Sequence, residues 1–359
     1  MSQNHYNNLI KAHALAKKKF GSTFPNPVVG CIIVKNNRII STGVTGNQGR
    51  PHAEEIALKK AGDKAKGATM YVTLEPCFHK SINGSCTEQI LRSGIKTIYI
   101  ARHDPDIRTN KKSINKLKKN ELEVHVGATA HITSQLNNFF FQSLKNKRPF
   151  VKVKMAISRD EKIAWSNYKS KWISNSKSRN YGHKIRSNSQ AILTTSKTII
   201  KDNPRFTVRK NNKIIKHLTT IIIDNSLKIP LGSKLLKDIN KKRVIIFTSK
   251  KNNKSKYLKK IGCEVFFVNK KINNQLNLKT IFKKIYDLKI NDILVEAGGI
   301  FLSNLLKNNL VDEIHLFKAP ILIGSGGKPL LIGKKLDNIK YKEVLSKNFD
   351  HDIYKYLKI

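Results

Sequence analysis

Short, dense runs of aliphatic and β-branched residues alternate along this chain with stretches of helical spacing, and that alternation restricts it to an α/β architecture. In the first part, residues 28–34, 68–74, 97–101 and 121–126 read as strands, and 4–20, 52–61, 86–93 and 111–120 as helices. Asn36-Asn37 reads as the turn of a hairpin whose second arm is 38–44. Residues 129–144 read as one closing helix. The polar, proline-containing stretch Lys145-Asn146-Lys147-Arg148-Pro149 then marks a boundary. A second α/β pattern follows, with strands at 150–157, 191–194, 218–223, 243–248, 264–268, 292–295 and 313–317. Helices at about 176–188, 277–288 and 299–307 lie between them, and 330–359 reads as a final strand pair. A length of 359 residues agrees with two domains, at 1–146 and 147–359.

No segment approaches the ~18 uninterrupted apolar residues of a membrane span. Residues 1–10 are polar and lack the apolar centre of a secretory signal, so a cytoplasmic protein is expected. The 69 Lys+Arg against 24 Asp+Glu give +45, which invites a polynucleotide partner. Lysine greatly outnumbers arginine and is spread over the whole length, as in Lys17-Lys18-Lys19, Lys111-Lys112 and Lys241-Lys242. Compositional drift explains such a spread better than one dedicated patch. Of four cysteines, Cys31 and Cys263 sit in apolar runs and read as small buried hydrophobes. Cys77 and Cys86 do not.

Pro51-His52-Ala53-Glu54, Glu75-Pro76-Cys77 and Cys86 form a constellation with one imidazole and two thiols. That is the three-ligand count of catalytic zinc, which keeps a fourth position open, whereas structural zinc takes four protein ligands. Zinc acidifies a bound water, and a carboxylate two residues from the histidine ligand can carry the water's proton. A zinc ion that merely pins a binding protein together would not call for Glu54. His79, in the same loop, reads as a substrate-facing or supporting histidine, not a fourth ligand.

These residues, with Pro25-Asn26-Pro27-x-Val29-Gly30 and Tyr71-Val72-Thr73-Leu74-Glu75-Pro76-Cys77, resemble the deaminase half of the bifunctional riboflavin-biosynthesis deaminase/reductases. Eight residues separate Cys77 from Cys86, unlike the short Pro-Cys-x-x-Cys loop of tRNA-adenosine and cytosine deaminases. The resemblance implies that His52, Cys77 and Cys86 bind zinc, Glu54 is the general acid/base and Asn26 faces the pyrimidine. Many members carry a Gly-Arg-Thr-Pro-Pro-like stretch where this chain reads Ser81-Ile82-Asn83-Gly84-Ser85.

The second half resembles that family's reductase. The matching segments are 152–160, Ser170-Lys171-Trp172-Ile173-Ser174, 191–209, Val295-Glu296-Ala297-Gly298-Gly299 and Leu310-Val311-Asp312-Glu313. The resemblance implies a cytidine-deaminase-like α/β/α domain followed by a dihydrofolate-reductase-like α/β domain. It further implies that NADPH contacts Ala156, Trp172, Thr198, Asp202 and the turn at Gly298 and Gly299. The substrate would contact Ser170, Arg186, Arg209 and Glu296. From chemistry alone, the Gly-Gly turn before a helix can seat a pyrophosphate, and Lys154, Arg186 and Arg209 can hold a phosphate.

The family's Ser-x-Asp-Gly turn reads Ser158-Arg159-Asp160-Glu161 here, and a positive φ at Glu161 would cost about 1 kcal/mol. The expected function is deamination of 2,5-diamino-6-ribosylamino-4(3H)-pyrimidinone 5′-phosphate and then NADPH reduction of its ribosyl chain. The expected partners are that small phosphorylated pyrimidine and further copies of the chain, with no nucleic acid and no membrane. The rival reading is a nucleic-acid deaminase with a basic C-terminal binding domain.

Overall fold

The alternating pattern folds as two α/β units, Met1–Lys147 and Arg148–Ile359, in a computed structural model. Residues 2–359 are described, except 80–83, 166–171, 212, 271–274 and 334. Ser170 and most of the divergent stretch 81–85 therefore lie outside the described residues. No described helix is long and apolar enough to cross a membrane.

In the first unit the chain runs α1 (Gln3–Lys18), β1 (Gly30–Lys35), β2 (Arg38–Val44), α2 (Ala53–Ala61), β3 (Thr69–Val72) and α3 (Cys86–Arg92). It continues through β4 (Thr97–Ile100), α4 (Lys112–Lys119), β5 (Glu123–Val126), α5 (Ala130–Leu136) and α6 (Asn138–Asn146). The sheet order is β2-β1-β3-β4-β5, with β1 antiparallel to both neighbours and β3, β4 and β5 parallel. Strand alternation sends Ile32 and Val34 to one face, where they pack with Leu9 and Ala12 of α1. α2 lies on the sheet so closely that a Cβ at Gly43 would stand 1.9 Å from the Ala53 carbonyl oxygen. Glycine at 43 thus lets the first turn of α2 settle onto β2, and that turn carries His52 and Glu54.

The single closing helix expected over 129–144 is instead two, broken at Asn137. Asn137 is fully buried, and its amide pairs with the backbone of Val28. The Val28 N–H donates to Oδ1 at 2.8 Å and Nδ2 donates to the Val28 carbonyl at 3.0 Å. A continuous helix could not direct this amide into the ladder position beside β1. The break exchanges one helical turn for a fixed approach to β1, two residues after Asn26.

The second unit runs β6 (Phe150–Ile157), β7 (Lys162–Ala164), α7 (Ser176–Ser187), β8 (Ala191–Thr195), α8 (Ser196–Asp202), β9 (Thr207–Lys210) and β10 (Lys213–His217). Then come β11 (Thr219–Ile223), α9 (Lys234–Lys237), β12 (Val244–Thr248), α10 (Asn253–Lys260), β13 (Glu264–Phe267), α11 (Leu278–Asp287) and β14 (Asp292–Val295). The chain ends with α12 (Gly299–Lys307), β15 (Glu313–Lys318), β16 (Lys328–Pro329), β17 (Lys342–Phe349) and β18 (Asp352–Lys358). The large sheet has the order β13-β12-β11-β8-β14-β6-β15-β18-β17. Its strands are parallel up to β15, and β18 and β17 close it antiparallel. Both faces are covered, as parallel sheets require. Leu193, Ile221 and Ile293 point into the layer of α11 and α12, while Ile192, Ile222 and Ile246 point the other way. The hairpin β9–β10, with lysines along it, gave no clear apolar alternation in the sequence.

Glu161 does adopt φ +60°. Its carbonyl accepts from Leu330 N–H at 2.9 Å and its carboxylate from Leu336 N–H at 3.3 Å. The glutamate therefore offsets its backbone strain with an anchor that glycine could not provide.

The paired amide of Asn137 yields a stability prediction. Asn137→Ala leaves the Val28 N–H and carbonyl buried without partners, which costs about 2–4 kcal/mol. Chemical denaturation followed by a probe in the first unit should show that loss, and a change below about 1 kcal/mol would contradict the assigned role.

Candidate metal centre and second cleft

In the first unit, two helix starts and the end of a strand converge. His52 caps α2 and follows Pro51, and its own N–H donates to Glu55 Oε2 at 2.7 Å, which fixes the entry of the helix. Cys86 opens α3 behind Ser85, whose Oγ accepts from Glu88 N–H at 3.2 Å. Cys77 lies beyond the carboxyl end of β3, where its carbonyl accepts from Thr87 N–H at 3.2 Å and Thr87 Oγ1 at 2.9 Å. His52 Nδ1 stands 3.2 Å from Cys86 Sγ, and the Cys86 N–H donates to Cys77 Sγ at 3.3 Å.

The three donor atoms lie within 4.8 Å of one another, and among the described residues no other such group of His, Cys, Asp or Glu occurs. One nitrogen and two sulfurs, buried or half-buried and this close, suit zinc. The side-chain hydrogen bond with Cys86, followed by contacts with His52, holds the Cys77 thiol down at about 4 against the effect of burial. Cys77 is thus already inclined to the thiolate that a metal requires.

Glu54, in the first turn of α2, is 4% exposed and lines the same cavity as His52 and Cys77. Burial pushes its carboxyl up to about 7, with the Cys77 charge adding and His52 opposing. The cavity measures about 110 Å³, and Asn26 stands in its wall. Asn26 Nδ2 donates to the Gly49 carbonyl at 3.3 Å, so the asparagine is oriented by the loop ahead of α2.

Glu75, from the same motif as Cys77, serves as an anchor. Its carboxylate accepts from the N–H groups of Asp104 and Lys111 at 3.2 Å each and from Ser113 Oγ at 3.2 Å. It therefore ties the loop after β4 to the metal-bearing loop after β3. That loop adds Asp104, Asp106 and Arg108 to the cavity, and none of the three stood out in the sequence. The available signal was a charged run directly beyond a parallel strand, where α/β sheets place their ligands. His79 also lines the cavity, and its Nδ1 is buried without a partner.

In the second unit, the carboxyl ends of adjacent parallel strands β8, β14 and β6 gather most of the expected residues. Arg186 on α7 grips Glu296 through two parallel hydrogen bonds, Nε to Oε1 at 2.6 Å and Nη2 to Oε2 at 2.7 Å. Burial pushes the Glu296 carboxyl up, but Arg186 and then Lys154 prevail and hold it at about 2. Arg186 and Glu296 are committed to each other, so neither is a free-standing ligand group. Arg209 lies alongside, its Nε donating to Thr207 Oγ1 at 3.2 Å and its N–H to His183 Nδ1 at 3.2 Å. His183 had no motif to mark it.

Ala156 lies on β6 and Thr198 and Asp202 lie one turn apart on α8, which follows β8. Trp172 is 61% exposed, with the Arg179 guanidinium 4.6 Å above its ring. Gly298 caps α12 without any side-chain acceptor, and a Cβ there would meet nothing within 4 Å. At Gly299, in contrast, a Cβ would stand 2.4 Å from the Leu330 carbonyl oxygen. One glycine keeps the helix start open and the other lets the helix pack, so the turn suits an anionic dinucleotide phosphate.

Comparison with known proteins covers both units. Residues 149–355 match the RibD C-terminal domain family, and residues 2–102 match the cytidine and deoxycytidylate deaminase zinc-binding region. The riboflavin biosynthesis protein RibD of Aquifex aeolicus is 40% identical over 315 residues, covering 88% of this chain and 86% of that protein. The RibD protein of Escherichia coli is 29% identical over 353 residues, covering 94% and 95%. A solved structure, Acinetobacter baumannii RibD in its form 2, gives a TM-score of 0.90 at 29% identity over 99% of both chains. The Thermotoga maritima diaminohydroxyphosphoribosylaminopyrimidine deaminase/5-amino-6-(5-phosphoribosylamino)uracil reductase gives 0.85 at 29% identity, covering 99% of this chain and 98% of that one.

The donor set predicts metal content. The purified chain should carry about one zinc ion, and Cys86→Ser should carry little or none. Glu54→Gln should keep its zinc when assayed by elemental analysis. Metal loss in that variant would place the glutamate among the ligands.

Proposed function

The chain belongs to the RibD family of riboflavin-biosynthesis proteins, and from that membership we infer how its two units divide the chemistry. It is a bifunctional enzyme, a deaminase and a reductase, with zinc and NADPH as its cofactors. A small-molecule substrate follows from that function. We assign deamination to the first unit and reduction to the second. The observation that carries the assignment is the His52, Cys77 and Cys86 donor set with Glu54 beside it in one cavity.

His52, Cys77 and Cys86 would hold the zinc, which would supply an acidified water and an electrostatic pull on the reacting centre. Glu54 takes the proton of that water and returns it to the departing amine, since it is the carboxylate beside the donors. Glu75 is bound to the N–H groups of Asp104 and Lys111, to Ser113 and to His103, and Asp106 is paired with Arg108 at its carboxylate. Asn26, aimed by Gly49, orients the pyrimidine. Burial of the site keeps bulk water from competing for these contacts.

When bound in the second unit, NADPH would supply the hydride that turns the ribosylamine into a ribitylamine. The Gly298 turn, Ala156, Thr198, Asp202 and Trp172 hold the cofactor in this reading. Lys154, Arg209 and the Arg186–Glu296 pair hold the phosphorylated pyrimidine, and Ser170 is assigned to the same ligand from its motif. The substrate is the ribosylaminopyrimidine 5′-phosphate, and its deaminated product passes to the reductase site. The buried free cysteines Cys31 and Cys263 support a reducing, cytoplasmic setting. The exposed outermost strand β17 supports a homo-oligomer. Relatives covering both units leave the nucleic-acid reading without support.

The division of labour can be separated by mutation. Glu54→Gln should abolish ammonia release yet still oxidise NADPH when given the deaminated pyrimidine. Glu296→Gln should do the reverse, with NADPH oxidation reduced about tenfold or more as a buried ion pair is broken. A variant that loses both activities while folded would contradict the assignment.

A further inference from the structure

His183 projects from α7 between the two arginines of the reductase cleft. Its Nδ1 accepts from the Arg209 backbone N–H at 3.2 Å and faces Arg186 Nη1 at 3.5 Å. Arg186 Nη1 also donates to the Thr207 carbonyl at 3.2 Å, so α7 and β9 are laced together at this point. With two donors directed at Nδ1, the ring's proton must reside on Nε2. A doubly protonated ring would set its Nδ1–H against the Arg209 N–H and the guanidinium. Burial, then Arg186, with Arg209 and Lys154 adding and Glu296 opposing, hold its pKa down at about 4, in keeping with a neutral ring.

Resting on the reading of this cleft as the pyrimidine phosphate site, we propose that His183 is a positioning residue of the reductase. As the Nε2–H tautomer it fixes Arg209 and Arg186 relative to each other, so that the substrate-side cations act as one block. Without its acceptor, the Arg209 backbone N–H loses its partner and β9 can shift against α7. Arg209 then no longer presents its guanidinium in register with the Arg186–Glu296 pair. The effect belongs to the phosphorylated substrate and spares the dinucleotide, because the Gly298 turn and α8 have no bond to His183.

The test uses the full zinc-loaded chain and two substitutions. In His183→Asn, Oδ1 stands where Nδ1 stood and can accept the same N–H. His183→Leu keeps the bulk and removes the acceptor. NADPH oxidation is measured against the deaminated pyrimidine phosphate and against NADPH separately, with the KM for NADPH and the circular-dichroism melt confirming that the second unit is folded. His183→Leu should raise KM for the pyrimidine about tenfold, as expected for the loss of the hydrogen bond that ties β9 to α7, and change KM for NADPH less than about twofold. His183→Asn should restore the pyrimidine KM to within about threefold of the parent.

An unchanged pyrimidine KM in His183→Leu would overturn the proposal, as would equal losses in both variants. Arg209→Ala separates the two layers of argument. If it leaves the pyrimidine KM unchanged, the cleft does not hold that ligand, and both the site reading and the role of His183 fall. If it raises that KM and His183→Leu does not, the site reading stands and only the positioning role falls.

Discussion

The first unit of this chain depends on bringing two helix starts to one strand end. His52 caps α2, Cys86 opens α3 and Cys77 follows β3, and their donor atoms meet within 4.8 Å. Much of the first unit serves that meeting. Gly43 admits α2 to the sheet, Glu55 fixes the entry of the helix, and Glu75 ties the loop after β4 to the loop after β3. Placed at such an intersection, Glu54 is buried beside the His52, Cys77 and Cys86 donor group, where a carboxylate can move a proton.

The second unit solves a different problem by similar means. The ends of three adjacent parallel strands bring together a half-buried ion pair, a lysine and an open helix start. The pairing of Arg186 with Glu296 keeps a strong charge of each sign in place without leaving either uncompensated. A handful of fixed cations suffices for a phosphate and a dinucleotide, so recognition of such ligands does not require the +45 of the whole chain. Its excess lysine contributes a general, salt-sensitive attraction for anionic ligands.

Strands and helices were legible where apolar periodicity was strong, as at β6 and β14, whose limits 150–157 and 292–295 the pattern marks. The metal donors were legible because soft ligands at a fixed spacing are rare outside such sites. The break at Asn137 was not, because apolar spacing continues through it and the reason for the break is the backbone of a distant strand. Asp104 and His183 were hidden for the same reason: each is held by a contact distant in sequence, Asp104 by Glu75 and His183 by Arg209. Glu161 shows the intermediate case, since the sequence raised the question of a positive φ and only the fold supplied the compensating Leu336 contact.

The central claim is that one chain removes ammonia with a metal centre and then reduces the product at a separate cleft. Its most direct test follows ammonia and NADPH absorbance together while the diamino ribosylaminopyrimidine phosphate is supplied with and without the cofactor. Ammonia should be released in both cases, and NADPH oxidation should begin only after ammonia release has begun, approaching one equivalent. NADPH consumption ahead of ammonia, or ammonia release that requires NADPH, would contradict the account.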